Sequence, residues 1–514
     1  MRRNSGKNNK EKDIKMSRKS GVILSYVLMI FEVLSTLLLT PFIIRTLGQA
    51  EYGVYKLCAS INGYLLLLDL GVGNATIRYI AKYRANGDRL SERKYLGVST
   101  IYYVFIAVLA IAVGVVLITI FPTAFAKGLT TEEIELAQNL LLITMINSAV
   151  TLGTAAFNNV IIAYERYDVS KGFSILQIML RMVLTYLALK AGMGSLGIVY
   201  VNLLLTILCR IVFVLFVFLG LKLLPCFRKI EWSFVKDIIM YSSWILLQMI
   251  ATQINASADQ ILLGSLVSSS ATIIGIYGVG AQIIQYYQSI GSAFNGVLMP
   301  GVVRMVEQRT SPEKICDEMI RIGRIIFMVL GLIWICFLFY GKQFIILWAG
   351  AENESAYFVT MILMTCDVLY LAEAIGSQVL WAKNEHKEMS IIKILIVVLN
   401  VFLTIALIKL NPLIGATMGT FISIMLGDVF AMNFMFKKKI GISLRKYYIG
   451  LFKGIIPCLL ICAVAGLLAS FISINGWIGF ILKIGIMCLS FAFSMYKIGM
   501  TDYEKRLVRS FVRK

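Results

Sequence analysis

GQAEYGVYKL, residues 48–57, places a glycine, an acid, two tyrosines and a lysine between two long apolar runs. Such a strip is typical of a tight turn at a membrane surface, where glycines end helices and the rings of Tyr52 and Tyr55 lie at headgroup level. The stretch IGIYGV, residues 274–279, repeats the pattern 222 residues later, with Gly275 matching Gly53. The two stretches therefore predict helical hairpins at corresponding places in a duplicated chain.

The apolar runs on either side extend over nearly the whole sequence. Hydrophobic residues make up 59% of the 514 residues and the mean hydropathy is +0.82, which exceeds what a soluble domain buries. A membrane span needs about 20 helical residues. The sequence predicts an all-α polytopic membrane protein with about fourteen spans, at 20–46, 52–80, 93–121, 134–162, 169–191, 195–222, 234–264, 271–304, 320–347, 355–383, 388–410, 412–437, 446–472 and 475–498.

The distribution of basic residues predicts the orientation. With the N-terminus inside, 40 of the 49 lysines and arginines fall on the cytoplasmic side, six fall outside and three fall within spans. Short cytoplasmic loops carry this excess, so both termini are expected in the cytoplasm. Anionic lipid at the inner surface accounts for the net charge of +21 without a nucleic-acid partner.

Two further matches support the duplication. Ala163 matches Ala382 at an offset of 219 residues, and Gly197 matches Gly415 at an offset of 218. All three pairs fall on the same predicted side of the membrane, which indicates two parallel six-helix bundles, the arrangement of alternating-access transporters. The predicted parts are a basic tail at 1–19, bundles at 20–230 and 231–440, two additional spans within 441–500 and a basic tail at 501–514.

Catalytic and metal sites are not expected. The nine cysteines lie in or beside spans, and His386, the one histidine, lies in a predicted cytoplasmic loop. No targeting signal is expected before the first span, so the N-terminal tail is predicted to be retained. The C-terminal tail places Tyr503, Leu507 and Phe511 on one helical face, which suits a helix lying on the membrane surface.

Two long segments, at 45–83 and 259–283, resemble a known family. RTLGQAEYGVYKLCASINGYLLLLDLGVGNATIRYIAKY and DQILLGSLVSSSATIIGIYGVGAQI resemble the hairpin signatures of Wzx-type oligosaccharide flippases of bacterial polysaccharide biosynthesis. The resemblance extends over roughly residues 18–500. It implies a MATE-like fold of the MOP superfamily with a central cavity lined by spans 1, 2, 7 and 8. The implied cargo is an undecaprenyl-diphosphate-linked oligosaccharide, moved from the inner to the outer leaflet of the bacterial cytoplasmic membrane.

Ionisable residues within or beside the spans are the candidate site, because charges in hydrocarbon are costly and mark pathways or counter-ions. Guanidinium binds diphosphate well, so the candidate substrate contacts are Arg45, Arg78, Arg181, Arg210 and Arg304. The candidate coupling carboxylates are Glu32, Asp69 and Asp259, with Asp367, Glu373 and Asp428 as further candidates in the second half. No cofactor is expected beyond H⁺ or Na⁺ as a coupling ion.

Structural roles for these residues stay open. Arg181 and Arg210 could pair with Glu32 or Asp69 inside the first bundle. Arg78 and Arg304 could be anchors at the inner edge, and Asp428 with Lys393 could be structural.

The alternative functions are a MATE-like exporter of small cations or drugs and a lipid II flippase. An enzyme is disfavoured because the longest predicted segment outside the membrane is the tail at 1–19. The expected partners are the lipid-linked oligosaccharide and membrane lipids, with a polysaccharide polymerase and glycosyltransferases as further candidates. A monomer is expected.

The fourteen-span topology predicts the side of two loops. A reporter fused after Ser268 is expected to report the outer side, and one fused after Lys439 the cytoplasm, since an even number of spans separates Lys439 from the N-terminus and an odd number separates Ser268. Paired alkaline phosphatase and fluorescent protein fusions measure both positions. The opposite side at either residue would contradict the topology.

Overall fold

A computed structural model describes residues 2–227, 232–383 and 385–512, with side chains described except at 2–23, 26, 232–248, 294–300, 303, 386, 507 and 510–512. Over these ranges the chain is helical and forms no strand, which confirms the all-α class. Ten of the described helices are long and apolar enough to cross a membrane, or eleven if one bent pair counts as a single span. The number of fourteen spans stays a prediction.

The chain divides into two compact units, Met1–Gly275 and Ile276–Lys514. Four helices of the first unit carry most of the argument below: α1 at Arg2–Leu66, α4 at Thr131–Gly153, α6 at Tyr167–Lys190 and α7 at Gly194–Leu215. The other helices that begin in this unit are α2 at Val72–Ala85, α3 at Arg89–Ala124, α5 at Ala155–Ala163, α8 at Trp232–Leu266 and α9 at Ala271–Glu307.

Helix α9 continues from the first unit into the second. The remaining helices are α10 at Pro312–Ala349, α11 at Ala356–Ala372, α12 at Ala374–Ala382, α13 at His386–Ile408, α14 at Pro412–Ile424, α15 at Met432–Met435, α16 at Leu444–Phe452, α17 at Ile455–Ser470, α18 at Gly476–Ser494 and α19 at Asp502–Val512.

The internal repeat is visible in where the helices break. Helices α4 and α5 are separated by Thr154, and α11 and α12 by Glu373, which lies 219 residues later. Helices α5 and α12 are each nine residues long, and α12 is bent by 43° from α11. The same offset that matches the sequences thus matches the helix breaks. The boundaries predicted for the two bundles and the two tails stay predictions.

The polar strip at 48–57 is a kink followed directly by helix. Gly48 has φ 75° and ψ 172°, and α1 resumes after it. Glu51 in the next turn accepts a hydrogen bond from the backbone N–H of Ser195 at 2.7 Å, at the start of α7. The Glu51 carboxylate therefore accepts from a backbone N–H that has no partner within α7. Its negative charge also interacts favourably with the partial positive charge at the N-terminus of that helix.

Two details of the strip differ from expectation. Tyr52 is only 3% exposed, so its ring packs inside the protein and does not lie at headgroup level. Gly53 does not end a helix, because α1 continues through it to Leu66. A local pattern of glycine and tyrosine resembles a surface turn, but here the tyrosine is buried and the glycine faces another helix.

Gly53 and Gly275, the matching glycines of the repeat, lie at one helix crossing within the first unit. A Cβ on Gly53 would clash with the carbonyl of Ala271 and lie 2.9 Å from the nitrogen of Gly275. A Cβ on Gly275 would lie 2.6 Å from the carbonyl oxygen of Gln49. Both glycines are therefore required by close backbone packing, the usual role of small residues between membrane helices.

Gly53→Ala is expected to destabilise the protein by about 1–3 kcal/mol, because overpacking displaces backbone that has no room to move. Gly172→Ala in α6 is the matched control, since a Cβ there meets no atom within 4 Å and the helix gains about 0.5–1 kcal/mol from losing a glycine. Thermal unfolding in one detergent measures both. Equal unfolding temperatures for the two variants would contradict close backbone packing at Gly53.

Candidate functional site

A polar cavity of about 250 Å³ lies inside the first unit between α1, α4, α6 and α7. Each helix contributes residues spaced three, four or seven apart, which places them on one face. Gln177 and Arg181, for example, are one turn apart on α6. The lining residues are Tyr55, Cys58, Ala59, Asn62, Leu140, Thr144, Asn147, Gln177, Arg181, Val199, Asn202 and Thr206.

Among the described residues that line the cavity, Arg181 is the one that carries a charge. Its side chain is half-buried, and among the residues whose side chains are described it has no carboxylate partner and no hydrogen bond. Tyr55 lies close enough for the guanidinium charge to act on its hydroxyl. The cavity thus holds a positive charge that no described carboxylate offsets.

The amide side chains around Arg181 add hydrogen-bonding groups without adding charge. Asn62 accepts a hydrogen bond on Oδ1 from the Ser148 hydroxyl at 2.7 Å, which leaves its N–H groups for other partners. The buried Oδ1 of Asn147 has no hydrogen-bond partner among the described residues. A ligand with both acceptor and donor groups would therefore find complementary atoms here.

The chemistry of this lining suits an anion attached to a neutral polar group. Guanidinium presents planar pairs of N–H donors that match phosphate oxygens, and its charge shortens and strengthens those bonds. Amides and hydroxyls match the hydroxyls of a sugar. A small organic cation would meet repulsion from Arg181 and no described carboxylate in the lining.

The other candidate arginines do not share this cavity. Arg210 on α7 is half-buried with its guanidinium 5.8 Å from the ring centre of Phe213, and it too forms no ion pair with a described carboxylate. Arg78 on α2 is exposed and lies 6.0 Å from the ring centre of Tyr79. Arg45 and Arg304 are exposed. Pairing of Arg181 or Arg210 with Glu32 or Asp69 is therefore not observed.

Asp69 lies at a break between helices. Leu67–Asp69 form one tight turn after α1, and Leu70 and Gly71 then take left-handed conformations before α2 begins. The Tyr103 hydroxyl donates to Asp69 at 2.7 Å and accepts from the Asn159 amide at 3.2 Å. This chain of hydrogen bonds ties the break to α3 and α5.

The remaining candidate carboxylates of the first unit differ in exposure. Asp259 on α8 is 2% exposed and close enough to Tyr64 for its charge to act on that hydroxyl. Glu32 on α1 is exposed. The coupling roles of Glu32, Asp69 and Asp259 stay predictions.

The buried acids of the second unit all have protein partners. Asp367 accepts from the Gln288 amide at 2.8 Å. Asp428 forms an ion pair with Lys393, as the structural alternative predicts. Glu373, at the break between α11 and α12, accepts hydrogen bonds from Asn433 at 2.9 Å and from Tyr448 at 2.5 Å.

Arg324 on α10 shows the opposite arrangement to Arg181. It is 3% exposed, and its five N–H groups make five hydrogen bonds. Two go to the carboxylate of Glu504, at 2.8 and 3.2 Å, and three go to backbone carbonyls. The residues that supply those carbonyls are Gly450, Lys453 and Gly499.

Sequence reasoning missed both the amides of the cavity and the burial of Arg324. A search for charge finds Arg181 but passes over Asn62, Asn147, Gln177 and Asn202, although amides inside apolar runs are a usable signal. Arg324, near the start of the predicted span at 320–347, is one of the 40 basic residues that the charge distribution places on the cytoplasmic side, and nothing in the sequence marks it as buried.

Residues 18–306 match the family described as polysaccharide biosynthesis protein. A search of curated proteins gives no significant match. The family match covers more than half of the chain, and it confirms the resemblance noted in the sequence.

Solved structures show the same fold. A lipid II flippase, MurJ, in an inward closed conformation has a TM-score of 0.72 at 14% identity, over 95% of this chain and 99% of that one. An inward-facing multidrug resistance MATE family transporter of the MOP superfamily has a TM-score of 0.60 at 17% identity, over 79% and 96%. A MOP superfamily transporter from Pyrococcus furiosus, titled for the reverse polarity of its binding pocket, has a TM-score of 0.53 at 17% identity, over 83% and 98%.

Substitution of Arg324 and of Arg181 is expected to change the stability of the protein by different amounts. Arg324→Gln is expected to cost about 3–5 kcal/mol, because it leaves the buried carboxylate of Glu504 without its counter-ion. Arg181→Gln is expected to change stability by less than about 1 kcal/mol, because no described partner loses a bond. Thermal unfolding of both variants in the same detergent measures the difference. A loss at Arg181 as large as that at Arg324 would assign Arg181 a structural role.

Proposed function

Because this chain belongs to the family of polysaccharide biosynthesis proteins, we propose that it is a flippase for undecaprenyl-diphosphate-linked oligosaccharide repeat units. It moves the lipid-linked oligosaccharide from the inner to the outer leaflet of the bacterial cytoplasmic membrane by alternating access. It acts as a transporter and not as an enzyme, and both termini lie in the cytoplasm.

The observation that carries the proposal is the charge of Arg181, which no described carboxylate offsets, in a cavity lined by amides and hydroxyls. A diphosphate and a glycan cannot cross hydrocarbon alone, since each polar group removed from water without a partner costs several kcal/mol. Arg181 offers the diphosphate a paired donor, and Asn147 offers an unused acceptor to a sugar hydroxyl. Coupling to H⁺ or Na⁺ is assigned to the carboxylates Glu32, Asp69 and Asp259.

A MATE-like exporter would use the same fold for different cargo. Cationic cargo would be repelled from the Arg181 cavity, so this observation favours the lipid diphosphate. The cargo of a lipid II flippase has the same diphosphate and a different glycan, so this function is the nearer alternative. Partner proteins that would supply or use the lipid-linked glycan are glycosyltransferases and a polysaccharide polymerase.

The test is a leaflet-transfer assay on reconstituted protein with a lipid-linked oligosaccharide, run beside a dye-efflux assay. Loss of a hydrogen bond to a charged group costs about 1.5–3 kcal/mol, so Arg181→Ala is expected to reduce transfer roughly ten- to a hundredfold. Arg181→Lys is expected to recover only part of it, because lysine lacks the paired donors of guanidinium.

Arg166→Ala is the matched control, since Arg166 in the same unit is exposed and paired with Asp168. It is expected to transfer at the wild-type rate. Dye efflux without lipid transfer, unchanged in Arg181→Ala, would replace the flippase with an exporter. Wild-type transfer by Arg181→Ala would remove Arg181 from the substrate site. Transfer of lipid II in preference to the oligosaccharide would reassign the cargo.

A further inference from the structure

Helix α19 is fixed to the second unit through its first turn. Glu504 is 4% exposed and forms the buried ion pair with Arg324. Its Oε2 also accepts from the backbone N–H of Thr501 at 2.7 Å, and the Thr501 hydroxyl accepts from the N–H of Glu504 at 3.4 Å. This reciprocal capping begins the helix and holds the carboxylate toward the protein.

A second contact lies one residue earlier. The ring of Tyr503 lies 3.5 Å from the guanidinium of Arg321, which is paired in turn with Glu318. Tyr503 was expected to lie on the lipid surface, but its ring stacks on the protein. Leu507 and Phe511, the other two residues predicted on the same helical face, lie outside the described side chains.

The cations of α19 are more exposed than the carboxylate of Glu504. Arg506 and Arg509 are exposed, and Lys505 is half-buried with its ammonium 5.9 Å from the ring centre of Tyr496. Arg509 donates to the Tyr496 hydroxyl at 3.3 Å, and Arg506 donates to the backbone carbonyl of Asp502 at 3.3 Å. Buried Glu504 is neutralised by Arg324, so exposed Asp502 is the one acid of α19 left to oppose these cations.

The position of α19 brings these cations to the membrane boundary. The preceding apolar helix, α18, ends in a π-helical turn at Met495–Gly499, and α19 begins three residues later. Lys497, in that turn, is exposed and adds a fourth cation. A cationic helix directly after a span meets lipid headgroups at the surface, and anionic headgroups attract lysine and arginine there.

We propose that α19 and the turn at Met495–Gly499 before it form a binding surface for anionic phospholipid headgroups, with Lys497, Lys505, Arg506 and Arg509 as its contacts. The ion pair of Glu504 with Arg324 attaches the helix to the protein, and the headgroups hold its exposed cations. Stability of the second unit therefore depends on the charge of the surrounding lipid. This dependence is separate from the cargo and stands whether or not the proposed function is correct.

The experiment compares the full chain in nanodiscs of phosphatidylcholine with nanodiscs of equal parts phosphatidylcholine and phosphatidylglycerol. The wild type is expected to unfold at a higher temperature in the anionic discs, with amide exchange in α19 about tenfold slower. The Lys505→Gln, Arg506→Gln, Arg509→Gln triple variant is expected to match the wild type in phosphatidylcholine and to lose the increase in anionic discs.

The control triple variant removes three exposed cations from another segment: Lys437→Gln, Lys438→Gln and Arg445→Gln. This control variant is expected to keep the higher unfolding temperature in anionic discs, because those residues lie outside α19. High salt is expected to reduce the wild-type increase, since it screens exposed charges. The proposal is overturned if the wild type shows no increase, if the α19 variant keeps it in full, or if the control variant loses as much.

Discussion

Charge inside a helical membrane protein must be compensated, because hydrocarbon offers no water to solvate it. Arg324 and Arg181 meet this constraint in different ways. In the second unit the buried acids and Arg324 are satisfied by named partners, and the result is fixed structure. In the first unit Arg181 lies at a cavity where no described carboxylate offsets its charge, so its guanidinium is open to a ligand. Arg324 is thus part of the fixed structure, whereas Arg181 is the arginine for which we propose a binding role.

The cavity combines one charge with several neutral amides, and this ratio matters for the proposed cargo. A lipid-linked glycan carries its charge at the diphosphate and is otherwise a neutral polar chain. One guanidinium is enough to recognise the charged part, while Asn62, Asn147 and Asn202 can contact neutral hydroxyls without demanding a fixed glycan sequence. More cations would bind the diphosphate more tightly and slow its release in the outer leaflet, since affinity differences fall mostly on dissociation.

The fold class, the repeat and the candidate Arg181 could be predicted from sequence, because apolar length, matched offsets and an arginine in a span are local signals. The contacts that individual residues make could not be predicted from sequence. Tyr52 and Gly53 carry the signal of a surface turn, yet Tyr52 is buried and Gly53 packs against another helix, which only the three-dimensional structure shows. Arg324 follows basic loop residues and is indistinguishable from them until Glu504 is placed beside it. The breaks at Asp69 and Thr154 lie inside segments that are each predicted as one continuous span, 52–80 and 134–162.

The five hydrogen bonds of Arg324 also set an order of assembly. Its counter-ion, Glu504, is 180 residues further along the chain. At about 5–20 residues per second, roughly 10 to 40 s of synthesis separate the two side chains. During that time α10 is present while its guanidinium lacks its carboxylate, and the carbonyls of Gly450, Lys453 and Gly499 are also still to come. The part of α10 that carries Arg324 must therefore stay in contact with water until α19 is made, so the second unit closes around this arginine late in biogenesis.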